Sequence, residues 1–281
     1  MLPLYDAHCH YHDAWLTPHR AQIFSDLASV GVQRAVVNGT CEADWPDVAA
    51  LAKDFPVVHP SYGLHPWDAG NRSPGWQKNL LAALDAGPRA ALGEFGVDRW
   101  MLDRARPDDP RLARLRRAPL EEQLEVFSWQ LELAAARNLP ASIHCLEAHG
   151  ALYDAMSHAR LPARGFLLHA YGGSAEMAKR FADLGAYFSF NGYFLDPRKT
   201  ALHALYAALP ADRVLVETDA PAMRLPASHE RFPPLVAVDG SLANHPANIA
   251  ATYTALSELR SVSLESLASQ VEANFQRLFA T

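Results

Sequence analysis

Eight short apolar runs, each followed by a helix-length stretch, constrain the fold of this chain more than any other feature. The runs fall at residues 2–7, 34–37, 57–64, 90–93, 141–143, 166–168, 186–190 and 214–216, and β-branched or aromatic residues recur in them. Segments with helical patterning lie between them, at 18–29, 42–54, 75–86, 119–138, 147–159, 175–184 and 198–208. The first of these has Thr17 as its N-cap and Pro18 at its first helical position. Strands that alternate with helices build parallel sheets, and eight such units is the count of an α/β (β/α)8 barrel of the TIM type. Two further helical stretches, 246–259 and 264–279, follow a Pro-rich loop and are expected to close the outer ring. No internal repeat, low-complexity tract or break in composition marks a second domain, so residues 1–281 read as one barrel domain.

Composition narrows the function classes. With 20% charged and 49% hydrophobic residues the chain is neither disordered nor fibrous, and it has no run of 18 or more apolar residues to cross a bilayer. A formal net charge of −6 argues against a broad binder of nucleic acid, which would need many Lys and Arg against phosphates, but leaves room for local contacts. One segment reverses the sign. Residues 99–117 hold seven Arg and three Asp and read as an insertion after the fourth strand. It is either a solvated surface of Arg/Asp pairs or a basic lip for an anionic substrate. Cys9, Cys41 and Cys145 are widely spaced, so neither a disulfide framework nor a thiolate zinc site is expected. In their apolar strands, Cys9 and Cys145 read as small buried hydrophobes rather than nucleophiles. With no signal-peptide pattern at the start, the expected location is cytoplasmic.

Polar residues fall where the apolar runs end. His8 and His10 end the first, His65 follows the third, Glu94 the fourth, His144 the fifth, His169 the sixth and Asp219 the eighth. In a strand, residues two apart share a face, so His8 and His10 aim at one place with Asp6 behind them, and Glu217 lies behind Asp219. One His-x-His is a weak signal in a chain with 13 His. Convergence of all these residues on one end of a barrel is a strong one, because enzymes of this fold build their sites at the C-terminal ends of the strands. Four imidazoles (His8, His10, His144, His169) and two carboxylates (Glu94, Asp219) leave two buried negative charges that need a cation. Six ligands exceed the three that one catalytic zinc takes and suit two divalent ions sharing a bridging carboxylate. The mixture fits Zn, Mn or Co, and Mg less comfortably. Two such ions would make the pocket electrophilic and suited to a phosphodiester or another developing oxyanion.

The segments Tyr5-Asp-Ala-His-Cys-His10, Gly63-Leu-His-Pro66, Gly93-Glu-Phe-Gly-Val-Asp98, Ser142-Ile-His144, Leu168-His-Ala-Tyr-Gly-Gly173, Val216-Glu-Thr-Asp-Ala-Pro221 and Asn244-His-Pro246 together resemble TatD-type metal-dependent deoxyribonucleases of the amidohydrolase superfamily. The likeness runs from the first strand through the closing helices. It implies that His8, His10 and Asp219 hold one metal, that His144 and His169 hold the other, and that Glu94 bridges them. It also implies that Asp219 is the general base for the attacking water and that His65 contacts the scissile group. The expected activity is hydrolysis of phosphodiester bonds in DNA, with a single-stranded end or a small anionic molecule as substrate. Asp6 and Glu217 would support the ligands, while Trp67 and Arg99 would touch substrate. Gln123, Phe127 and Gln130 match the family as packing or support residues.

The rim departs from the family pattern. The usual His-Thr-Arg-Asp-Ala is here His144-Cys-Leu-Glu-Ala148, the usual Gly-Leu-Asp-Tyr-Tyr is Gly96-Val-Asp-Arg-Trp100, and a Cys-Phe pair is replaced by Ala170-Tyr171. Arg99 or another Arg of 99–117 would replace the lost guanidinium. Trp67, Trp100 and Tyr193 read either as platforms for bases or as packing. Two other functions fit the same residues: hydrolysis of a carboxylic ester, amide or lactone, and metal binding without turnover. A self-contained barrel is expected to be a monomer with no membrane or stable protein partner.

Overall fold

Runs of Val, Ile, Leu, Phe and Ala that are buried on both faces suit parallel strands covered by helices. The computed structural model, which describes residues 1–87 and 89–280, turns each of the eight runs into a strand. They are β1 (Leu4–Cys9), β2 (Val32–Asn38), β3 (Val58–Tyr62), β4 (Ala91–Asp98), β5 (Ala141–Leu146), β6 (Phe166–Leu168), β7 (Ala186–Asn191) and β8 (Val214–Glu217). They form one parallel sheet in chain order. At the C-terminal ends the sheet closes on itself: the Asp219 N–H donates to His8 O at 3.0 Å, and the His10 N–H donates to Ala220 O at 2.8 Å.

The helices of the outer layer are α1 (Arg20–Val30), α2 (Trp45–Asp54), α3 (Trp76–Ala86), α4 (Trp100–Asp103), α5 (Leu120–Arg137), α6 (His149–Ser157), α7 (Ala175–Asp183), α8 (Thr200–Ala208), α9 (Ile249–Leu259) and α10 (Leu264–Phe279). The last two seal the seam between the first and last strands, as expected. Tyr253 of α9 donates its hydroxyl to Tyr5 O at 2.9 Å and accepts the Tyr5 N–H at 3.0 Å. From α10, Phe275 packs on Tyr5 with ring centroids 4.8 Å apart, while Asn274 Nδ2 donates to Ala211 O and Val214 O. None of the described helices is long and apolar enough to cross a membrane.

Two expectations need correction. The polar residues at 94 and 144 do not follow their strands but lie inside them. Pairing of β4 with β5 continues from Phe95↔Ile143 to Asp98↔Leu146. At that level the barrel interior is polar, so the apolar pattern stops before the backbone ladder does. The first helix also starts later than Thr17 suggests. Asp13 accepts the Trp15 N–H at 2.7 Å and caps a 3₁₀ turn, Ala14–His19, so that α1 begins at Arg20. The Thr17 hydroxyl instead accepts from Arg20 Nη2 at 3.0 Å.

Beneath the strand ends lies a fully buried polar layer: Asn38, Ser61, Ser142, Ser189, Asn191 and Glu217, each 0% exposed. Buried polar groups persist only when paired, and these largely bond across strands. Ser61 Oγ donates to Gly93 O at 2.9 Å, Asn191 Nδ2 donates to Glu217 Oε1 at 3.0 Å, and Ser189 Oγ donates to Glu217 Oε2. The layer brings β4 and β5 so close at the top that a Cβ on Gly96 would stand 1.9 Å from His144 O. Gly96→Ala therefore forces the two strands apart. The expected cost is about 1–3 kcal/mol of stability by urea denaturation, with weaker metal binding because His144 moves too; an unchanged midpoint would contradict this packing.

At the opposite end of the barrel, His59 packs edge-on against Phe279 with centroids 5.9 Å apart. Burial, reinforced by the guanidiniums of Arg89, Arg34 and Arg164, pushes its pKa down to about 4. An unfolded His titrates near 6.5 and takes up a proton that the folded imidazole refuses, so stability falls as pH drops from about 6.5 to about 4. The loss amounts to about 3 kcal/mol. His59→Leu should flatten the stability curve across that window by this amount, and parallel curves for the two proteins would show that His59 is not responsible.

Candidate metal centre

The site is organised around one carboxylate. Glu94, on β4 and 3% exposed, has five imidazoles around it. Its Oε2 lies 3.4 Å from His8 Nε2 and 3.3 Å from His10 Nε2. Its Oε1 lies 2.8 Å from His169 Nε2, 3.0 Å from His144 Nδ1 and 3.5 Å from His65 Nε2. Asp219 Oδ1 completes the His8 and His10 side at 3.7 and 3.3 Å. The six predicted ligands are thus brought to one volume by β1, β4, β5 and the turns after β6 and β8.

Most of the rings are also held from behind, as metal ligands are. His10 donates its Nδ1–H to Asn38 O at 2.8 Å, which turns Nε2 toward the centre. His8 Nδ1 lies 2.7 Å from Ser142 Oγ and 3.1 Å from Asn38 Nδ2. His144 turns Nε2 to Asp98 Oδ2 at 3.2 Å and Nδ1 inward, and His169 Nδ1 faces Glu217 Oε1 at 3.7 Å. The His8 and His169 rings stack at 3.8 Å. His65 differs: its Nδ1 accepts the Trp67 N–H at 3.2 Å, so its Nε2 carries the proton and presents a donor to the centre.

The electrostatics follow from this crowding. Burial opposes every charge here, yet the imidazoles of His169, His65 and His8 hold Glu94 well below the usual carboxylate range. In return, Asp219 and Glu94 lift His10 well above its ordinary value, Asp98 and Glu94 lift His144 to about 9, and Glu94 and Glu217 lift His169. Burial and the neighbouring imidazoles lower His8 and His65. The residues fit divalent cations. Three overlapping groups (His8, His10, Asp219; His8, Glu94, His169; His65, Glu94, His144) each bring ligand atoms within 4.8 Å of one another. His8 Nε2, fully buried, has no hydrogen-bond partner among the described residues.

Other predicted site residues are placed differently. Asp6 supports His8 through the backbone and not through an imidazole: its carboxylate accepts the His8 N–H at 3.3 Å, the Thr218 N–H and hydroxyl at 3.1 and 2.6 Å, and the Tyr11 hydroxyl at 2.6 Å. Burial pushes its pKa up to about 7. Arg99 is half-exposed and paired with Asp103 at 2.9 Å. The segment around it is largely self-neutralised: Arg104 meets Glu147, Arg111 meets Asp109, Arg116 meets Glu122, and Arg117 donates to the carbonyls of Met101, Ala105 and Arg106. Trp67 donates its indole N–H to Asp98 Oδ2 at 2.6 Å and stacks loosely on Trp100, over which Arg111 lies at 4.5 Å. Tyr193 is 41% exposed, with Lys199 over its ring.

Asp98, Asn38, Ser142 and two glutamines of α5 also belong to the site. Asp98 was detectable, since it is four residues beyond Glu94 on the same strand face. Gln123 brackets the Asp98 backbone, its Oε1 accepting the N–H at 2.8 Å and its Nε2 donating to the O at 3.1 Å. Gln130 does the same for Leu64, next to His65, at 2.9 and 3.1 Å. Of the packing and support roles expected for them, both take the second.

Comparison with known proteins agrees with this geometry. The family model of TatD-related DNases matches residues 5–280. The metal-dependent hydrolase YjjV of Escherichia coli K12 is 29% identical over 276 residues, 98% of this chain and 96% of that protein. Its crystal structure superposes with a TM-score of 0.83 at 28% identity, covering 99% and 98% of the two chains. The 3'-5' ssDNA/RNA exonuclease TatD of Salmonella typhimurium is 26% identical over 261 residues, 92% of each chain. With a family match across nearly its whole length and the cluster of imidazoles and carboxylates in place, the chain belongs to the TatD-related DNase family of metal-dependent hydrolases.

Proposed function

We propose that this hydrolase cleaves phosphodiester bonds at the end of single-stranded DNA with the help of two divalent cations. The observation that supports this most is the division of labour on Glu94, whose two oxygens face different sets of imidazoles. His8, His10 and Asp219 would hold one ion, His144 and His169 the other, with Glu94 between them. When bound, the ions would acidify a water and neutralise charge on the phosphoryl oxygens.

The chain's own groups supply the rest. Asp219 lies at the open side of the cluster, 9% exposed, and takes the proton of the attacking water. His65 donates its Nε2–H to an oxygen of the scissile group. Asp98 acts through His144: it fixes the ring with Nδ1 inward and is itself fixed by Trp67 and by the Met101 N–H at 2.9 Å. A second reading, hydrolysis of a carboxylic ester, amide or lactone at the same centre, is favoured by the pairing of the rim guanidiniums, which leaves less free positive charge for a polyanion.

End-labelled single-stranded and duplex oligonucleotides, tested beside ester and lactone panels with Zn, Mn, Co or Mg, separate the two readings. Shortening of single strands that chelator abolishes is expected; ester or lactone turnover without any oligonucleotide cleavage would sink the nuclease reading. Asp219→Asn should lower kcat by about 100- to 10,000-fold while the protein stays folded, and near-wild-type kcat would exclude Asp219 as the base. Asp98→Asn should weaken metal binding, measured by calorimetry, about 10- to 100-fold. Trp67→Phe should produce a smaller loss in the same direction. Metal affinity unchanged in both variants would show that Asp98 does not position His144.

A further inference from the structure

A cavity of about 510 Å³ lies on the outer side of β3, between α2 and α3, apart from the metal ligands. That volume is within the roughly 300–1,000 Å³ typical of small-molecule sites. Its walls are mainly apolar, with Trp45, Ala49 and Ala52 from α2, Ala83 from α3, and Val58 and Tyr62 from β3. A gap of this size is unusual in a close-packed α/β layer, where adjacent helices normally cover the strand between them.

Three of the four charged groups around it, Arg34, Lys53 and Arg89, are cations. Arg34, Lys53, His59 and Arg89 line the cavity, and Glu42 is the one acid beside them. Glu42 is already engaged, since its carboxylate accepts from the Ser73 N–H, the Ser73 hydroxyl and Asn79 Nδ2 at 2.7–2.8 Å. Among the described residues, Lys53 and Arg89 make no ion pair. Arg34 donates from Nη1 only to the carbonyls of Gln33 and Pro56. His59 is 9% exposed, and its Nε2 has no hydrogen-bond partner among the described residues. The Tyr62 ring is 3% exposed, and its hydroxyl likewise bonds to no described residue.

Apolar walls and unpaired cations on one cavity are complementary to a ligand that brings both an anion and an apolar surface. We infer that this cavity is a second ligand site, for a small organic anion with a carboxylate or phosphate head on a flat apolar body. The head sits among Arg34, Arg89 and Lys53, and the body lies against Trp45, Ala52 and Ala83. The metal centre plays no part in this recognition.

Calorimetric titration of the metal-loaded protein tests it with 2-naphthoate, phenylphosphonate, the neutral 2-naphthalenemethanol and inorganic phosphate. Saturable binding of one naphthoate per chain is expected, with the alcohol about tenfold weaker because it lacks the charge-assisted hydrogen bonds. The relative strength of phenylphosphonate decides which head the site prefers. Ala83→Trp fills the cavity and should abolish binding. Arg89→Glu and Lys53→Glu, both exposed positions, should weaken it about tenfold together and leave the hydrolytic activity at the wild-type level. Three results would overturn the inference: no saturable binding of either organic anion, equal binding of the neutral alcohol, or binding that survives both the filled cavity and the reversed charges. Inorganic phosphate binding as tightly as the organic anions would reduce the site to a bare anion contact and would equally overturn it.

Discussion

Five imidazoles within 3.5 Å of one buried carboxylate set the terms for the rest of the molecule. Rings brought so close repel one another once protonated, and a carboxylate so deeply buried is costly unless cations surround it. The cluster answers this by holding Glu94 well below the usual carboxylate range and lifting His10, His144 and His169 above the ordinary imidazole value. Divalent cations would satisfy the same carboxylate by taking the place of protons on those rings. One arrangement therefore suits protons and cations alike, provided that the rings cannot turn away.

Preventing that rotation is the task of the layer below. Asn38, Ser142, Asp98 and Glu217 each address the far nitrogen of a histidine, and all four are buried on strands whose remaining side chains are largely apolar. The barrel thus carries a polar plug on top of an apolar core. Helix α5 extends the same logic to the backbone. Its two glutamines bond both the N–H and the carbonyl of Leu64 and of Asp98, as a neighbouring strand would. A helix so acts as a surrogate strand at the point where the third and fourth strands deliver His65 and Asp98.

The barrel was legible because strands buried on both faces leave continuous apolar runs, and the cluster at its mouth was legible because His, Glu and Asp stand out against such runs. What escaped notice depended on partners far away in the chain. Asp98 lies 46 residues from His144 and 31 from Trp67, so its role exists only once three strands are side by side. Asp6 meets the His8 backbone and Thr218 rather than an imidazole, and the bond to Thr218 joins residues 212 positions apart, which alternation along one strand does not show. The positive charge of 99–117 was counted correctly, but two of its neutralising partners, Glu122 and Glu147, lie outside the segment. Asp13 lies closer than Thr17 to the end of β1 and captures the chain first, into a 3₁₀ turn rather than a helix.

The seam between the first and last strands has a consequence for how the protein comes into being. The backbones of His8 and Asp219 are hydrogen-bonded to each other, and the side chains of the same two residues meet at the centre. Joining the edges of the barrel and completing the His8, His10 and Asp219 set are therefore a single event, and it unites residues more than two hundred positions apart. During synthesis the amino-terminal pair emerges early and waits, two imidazoles without their carboxylate, until nearly four-fifths of the chain has been made. A product that ends before the eighth strand carries most of the histidines but lacks the carboxylate that faces His8 and His10 across the seam.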